Sequence, residues 1–132
     1  MVEIEKQLEK IIDRKMDEIT DFIFTRSQEN IIKNESIDTG MLLRSGNVNR
    51  SFLNKEIVYT VPYAPAIEYG SQPHAIYSVW LHDWVRRKLN ISDEREAARV
   101  AFAIAKKIEL EGIDARPFLR PAIQEAKARF GK

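Results

Sequence analysis

Residues 45–61, SGNVNRSFLNKEIVYTV, decide the fold. Within this stretch side chains alternate with a period of two, whereas on both sides the apolar period is three to four. Val48, Arg50 and Phe52 alternate with Asn47, Asn49 and Ser51, and Ile57, Tyr59 and Val61 alternate with Val58 and Thr60. Such alternation assigns successive side chains to opposite faces of a strand. Leu53-Asn54-Lys55 is suited to a turn, so a β-hairpin is predicted over about 45–53 and 56–61. Pro62 has no amide hydrogen for a ladder and stops the second strand.

Upstream, residues 2–33 hold neither glycine nor proline. Ile4, Leu8, Ile11, Ile12, Met16, Ile19, Phe22, Ile23 and Ile31 recur three to four apart, which is the spacing of an amphipathic helix. Some thirty residues at 1.5 Å each span roughly 45 Å, long for so small a domain. The helix therefore either lies across the sheet or sends part of its length out to a partner. Ser36-Ile37-Asp38-Thr39-Gly40 breaks it with capping side chains and a glycine, and Met41-Leu42-Leu43 has the makings of one helical turn.

Downstream, Tyr63 to Ser71 reads as a short helix or turn closed by Gly70, and 71–77 as a loop. Ser78 is placed to cap a helix over about 79–89, with Trp80, Leu81, Trp84, Val85 and Leu89 on one side and Asn90 at its end. Asp93 with Glu96 resembles a capping box for a helix over about 93–111, with Ala97, Ala101, Ile104, Ala105 and Ile108 inward and Gly112 closing it. A last helix begins near Leu119 or Arg120, with Pro121 in its first turn, and runs to about Phe130. The expected fold is α+β: a long N-terminal helix packed on a small antiparallel β-sheet, with additional C-terminal helices.

Composition narrows the function classes. The 132 residues fit one domain, 44% hydrophobic and 31% charged. No run reaches the ~18 apolar residues of a membrane span, so no membrane partner is expected. The N-terminus is charged from its third residue, unlike a signal peptide. The absence of cysteine excludes disulfides, thiol catalysis and thiolate-bound zinc. Net charge is +1, too little to mark the whole chain as a polyanion binder. The charge is divided, however. Residues 1–40 carry six Lys/Arg and ten Asp/Glu, and residues 41–132 carry fifteen and ten, giving −4 and +5. Either separate faces are simply solvated, or neighbouring copies are complementary.

Little in the sequence suggests chemistry. His74 and His82 are eight apart across a loop–helix junction, with no third or fourth ligand at a fixed spacing. There is no glycine-rich phosphate loop and no nucleophile elbow. No catalytic residue, metal or cofactor is expected. Arg86, Arg87 and Lys88 beside Trp80 and Trp84 form a possible basic patch for DNA. The tryptophans, four apart, share a face, and their packing inward would leave the three charges as a small wet footprint.

Three motifs make sense together. They are Asp38-Thr39-Gly40-Met41-Leu42-Leu43-Arg44-Ser45, then Tyr63-Ala64-Pro65-Ala66-Ile67-Glu68-Tyr69-Gly70-Ser71, then Arg116-Pro117-Phe118-Leu119-Arg120-Pro121-Ala122. In this order after a long helix, they resemble the tail-component family of long-tailed bacteriophages and prophages. The likeness covers about residues 5–130, and its last motif is the most specific. In the first motif Leu43 stands where the family has Arg, and Arg44 follows. The stretch 72–112 is longer than in compact members and reads as a helical insertion into a single domain.

The resemblance implies a virion structural protein, a tail-completion or head–tail joining component, with no enzymatic activity. Its partners would be itself, the tail tube and the head connector. It would be made in the host cytoplasm and sit at the neck of the virion. With the divided charge, this implies a closed ring, expected to be a hexamer, built by one repeated head-to-tail contact. Within the motifs, Thr39 would cap the turn led by Gly40, Glu68 would pair with Arg120 or Arg44, and Phe118 and Leu119 would anchor the last helix. A DNA-binding or packaging-associated accessory protein is the alternative.

Overall fold

The computed structural model of the chain describes residues 2–35, 39–73 and 78–131. The protein is α+β, with a long N-terminal helix, a two-stranded antiparallel sheet and C-terminal helices. It divides into two compact units, one of Met1–Ala64 with Pro117–Lys132, the other of Pro65–Arg116. The second unit contains the stretch 72–112 together with most of the short helix before it.

In the first unit, α1 (Val2–Asn34) ends where Glu35 turns into the left-handed region at φ 49°. A short helix, α2 (Thr39–Ser45), leads directly into β1 (Gly46–Ser51), which pairs with β2 (Asn54–Tyr59). The hairpin turns through Phe52 and Leu53, one to two residues before the position read from the sequence, and Val61 lies beyond the strand. Of the two loop residues only Leu53, the second, has a positive φ (60°), so the loop is not one of the primed turns that two-residue hairpins favour. Val48 then faces Ile57, and Arg50 faces Lys55. With Gly46 and Tyr59 these residues form the face turned to α1, while Asn47, Asn49, Ser51, Asn54 and Glu56 are exposed on the other.

The last helix of the chain, α6 (Leu119–Phe130), returns to the first unit and runs antiparallel to α1. Asn34 Nδ2 donates to the Pro117 carbonyl at 2.9 Å and Asn30 Nδ2 to the Phe118 carbonyl at 3.0 Å. Lower down, Arg26 pairs with Glu125 at 3.1 Å, and the Phe22 and Phe130 rings meet edge to face at 5.6 Å. Phe118 is 2% exposed, its ring edge-on to Tyr59 at 4.9 Å. Tyr59 in turn stacks on Phe24, so strand, long helix and last helix converge on one aromatic cluster.

The second unit is built on α5 (Glu94–Glu111). Ala97, Ala101, Ala105 and Ile108 are its buried stripe, and their small side chains permit close approach of a 3-10 turn (Ser78–Leu81) and of α4 (His82–Lys88), through Leu81 and Val85. Two sequence expectations fail here. Ser78 does not cap α4, which starts at His82 after the 3-10 turn, with Leu81 at its N-cap and no side-chain cap. Leu89 is exposed at the end of α4 rather than on its inner side. Asn90 does end that helix, in the left-handed conformation (φ 56°), and Asp93 caps α5 by accepting from the Arg95 amide at 3.0 Å. The side chain of Trp80 lies outside what is described.

Helix α3 (Ala64–Tyr69) leads to Gly70, and there the chain pairs Ser71 with Ile113 across two amide–carbonyl bonds of 2.8 and 3.1 Å. Gly70 (φ 73°) and Gly112 (φ 81°) flank this bridge. A methyl group on Gly70 would stand 2.9 Å from the Ile113 carbonyl oxygen, and one on Gly112 would stand 2.2 Å from that of Ser71. Both positions therefore need glycine for backbone conformation and for space.

Candidate assembly surfaces

The three motifs lie mainly at joints of the fold. Asp38 lies outside the described residues, as does the Thr39 side chain with its expected capping role. Gly40 and Leu42 are on α2, and Leu42 is fully buried. In the second motif Tyr63 is half-buried before α3, Glu68 is buried, Tyr69 is exposed and Gly70 holds the left-handed turn. In the third, Pro117 and Phe118 offer carbonyls to the α1 asparagines, Leu119 and Pro121 are half-buried in the first turn of α6, and Arg120 is exposed. Phe118 is an anchor in the full sense, and Leu119 only in part.

The basic patch is smaller than three cations. Arg86 reaches Glu94 on the next helix at 3.5 Å and is half-buried, while Arg87 and Lys88 are exposed. Of the two histidines, His82 opens α4 and His74 lies outside the described residues. Among the described residues no group of three or more His, Cys, Asp or Glu gathers as a metal site would require. Among them, too, no helix is long and apolar enough to cross a membrane.

What joins the hairpin to α1 is a run of charges. Asp13, Asp17 and Asp21 stand one turn apart on α1. Lys55 lies between Asp13 (2.8 Å) and Asp17 (3.3 Å), and Arg50 between Asp17 (3.0 Å) and Asp21. Asp13 also accepts from the Leu53 amide at 2.8 Å, fixing the hairpin tip. Arg50 and Lys55 are cross-strand partners, and like charges directly opposite would repel. The interleaved carboxylates turn that repulsion into an alternating ladder. The amide of Leu53, and then Lys55, hold the Asp13 carboxyl below its usual range, and Asp13 raises Lys55 in return. Sequence reading missed this ladder. Its local signal was the spacing of the three aspartates, but the choice of Arg50 and Lys55 as partners needed the strand register.

The second surface is the end of α1 that nothing in the first unit covers. The hairpin tip reaches α1 at Asp13, and the C-terminal turn of α6 reaches it at Lys15, whose ammonium lies 5.0 Å from the centre of the Phe130 ring. Before these points every residue from Val2 to Ile12 is exposed. Ile4, Leu8, Ile11 and Ile12, each more than half exposed, continue the apolar stripe that α6 covers further along. The later part of α1 lies on the sheet, and its first three turns, roughly 16 Å, extend past both covering elements. Charges there are sorted as well. By the 3.6-residue turn, Glu5 and Glu9 border the apolar stripe, while Lys6 and Lys10 fall on the far side.

Comparison of the chain with protein-family models, with curated proteins and with solved structures gave no match.

Proposed function

We propose that the chain is a structural component of a long-tailed phage or prophage particle, a tail-completion protein that joins tail to head at the neck and works through protein–protein contacts. The observation that carries the reading is the uncovered apolar end of α1. A soluble chain that leaves four large aliphatic side chains exposed in one stripe has an unfilled contact surface. The order and content of the three motifs support the particular role, through their resemblance to the tail-component family. In this reading several copies close a ring, expected to be a hexamer, on the end of the tail tube and meet the head connector.

The test is to mix the protein with purified tail tubes and with connector, and to examine the products by native mass spectrometry and by imaging of the neck. A multimeric ring at the tail end is the expected result. Binding to neither partner, or a single copy at a single site, overturns the reading. A gel shift with duplex DNA at two salt concentrations addresses the accessory-protein alternative. That alternative requires tight binding that weakens steeply with salt, and Arg87 and Lys88 alone form a poor footprint for it.

A further inference from the structure

We infer that the uncovered end of α1 docks on the outer face of α5 in a second copy of this chain. The assignment rests on reading that end of α1 as an assembly surface, and it names the surface that receives it. Opposite its buried alanine stripe, α5 presents Arg95, Arg99, Phe102, Lys106 and Leu110, all exposed. Phe102 is 63% exposed and Leu110 69%, two large apolar groups outside any core; Arg95 and Arg99 lead up to Phe102, while Lys106 pairs with Glu109 at 3.6 Å. The uncovered face of α1 is the converse, aliphatic side chains bordered by Glu5 and Glu9.

The two faces match in sign and also in spacing. Glu5, Glu9 and Ile12 on α1 are separated by four residues and then three. Arg95, Arg99 and Phe102 on α5 are separated by the same four and three. Helices laid side by side in the same direction bring two carboxylates to two guanidinium groups one turn apart, and Ile12 to Phe102. Leu8, one turn before Ile12, then flanks the row on its apolar side. Charge also argues against a lipid surface as the occupant. Residues 2–12 carry three glutamates and two lysines, which anionic headgroups would repel.

Donor and acceptor are different patches, so a contact made head to tail leaves each copy one of each, and its repetition builds the ring that the proposed neck role requires. A contact between two helix faces of this length buries less than about 1,200 Å² in total, which belongs to the weak and transient class. The isolated protein should therefore be monomeric when dilute and associate as its concentration rises into the high micromolar range.

A complementation experiment on the full chain tests this. One variant loses the donor (Leu8→Asp with Ile12→Asp), another loses the acceptor (Phe102→Asp). Sedimentation or native mass spectrometry at high concentration should find each alone monomeric. An equimolar mixture should give a dimer that grows no further, because only one productive contact remains. A mixture that stays monomeric, or an acceptor variant that still associates alone, overturns the α5 assignment. In the latter case α1 survives as an assembly surface pairing with something else. Charge reversal gives a second arm with milder changes. Glu5→Arg with Glu9→Arg should abolish association, and adding Arg95→Glu with Arg99→Glu should restore it. A wild-type chain that is monomeric at every concentration overturns the inference, while the neck role is judged separately by binding to tails. All the substituted positions are exposed, and an unchanged melting curve for each variant verifies folding.

Discussion

Phe118 and Tyr59 meet ring to ring, yet they hold the first unit together in different ways. Phe118 is fully buried, so Phe118→Ala removes a ring from a packed cluster and should cost about 3–5 kcal/mol in denaturant unfolding. A variant with unchanged unfolding would show that the ring is not a core anchor. Tyr59 adds a hydroxyl 2.6 Å from Ser27 Oγ. Ser27 gives its own proton to the Phe24 carbonyl at 2.8 Å, so the tyrosine is the donor between the two hydroxyls. Tyr59→Phe therefore loses one hydrogen bond and should cost about 0.5–1.5 kcal/mol, with the Ser27 bond to Phe24 intact. The same unfolding experiment checks it, and a loss as large as that of Phe118→Ala would contradict this account. Phe118 was legible in the sequence because it belongs to a local motif flanked by prolines. The bond from Tyr59 to Ser27 was not, because the partners stand on different elements and only the hairpin register brings them together.

At the scale of elements, the hairpin is held to α1 by groups whose charge depends on pH. Asp13 is shifted down, so its contribution is present above the pKa of an unfolded aspartate, about 3.9, and is lost as pH falls through the lower folded value. Lys55 is shifted up, so its contribution is present below the unfolded lysine value of about 10.4 and is lost as pH rises through the higher folded value. Docking of the hairpin should thus be constant across the neutral range and loosen at both extremes. The protection of the Leu53 amide, its exchange rate by NMR relative to the intrinsic rate at each pH, is the local readout. Protection should fall below about pH 4, and Asp13→Asn should remove that acid limb. A Leu53 protection factor constant through the acid range would rule out Asp13 as the clasp. The elements themselves were largely legible, since α1, α5, α6 and the hairpin follow from periodicity. The hairpin turn was read late because Asn54 and Lys55 are polar and turn-like, although cross-strand pairing enlists both. The start of α4 was read early because Ser78 has the chemistry of a cap but falls in the 3-10 turn.

For the whole molecule, the division of charge between −4 and +5 needs a new interpretation. Three of the ten acidic groups in the first forty residues, Asp13, Asp17 and Asp21, are already engaged by Arg50 and Lys55 in the same chain. Much of the apparent complementarity between copies is therefore internal, and composition could not reveal which acids remain for a neighbour. Glu5 and Glu9 do remain, on the exposed end of α1. Since residues 2–12 contribute nothing to the core, a chain lacking residues 2–10 should melt within a few degrees of the full one, as exposed positions typically shift stability by only about 0.5 kcal/mol. The same deletion should abolish association at high concentration. A large drop in melting temperature would mean that these turns stabilise the monomer.

The first unit is discontinuous in the chain, and this bears on how the protein reaches its native state. Its α6 follows Pro65–Arg116 in the sequence, so during translation it leaves the ribosome after every element of the second unit. Until then α1 and the hairpin lack the element that carries Phe118, and the nascent chain shows an apolar surface longer than that of the finished protein. The second unit closes from consecutive residues and is free to form first. Completing the first unit demands a long-range closure, whose entropic cost rises only slowly with the length of the intervening loop but whose contacts are slow to find. Refolding should accordingly be limited by the arrival of α6, and the interval before it arrives is when the chain is most exposed to aggregation and to premature pairing with another copy.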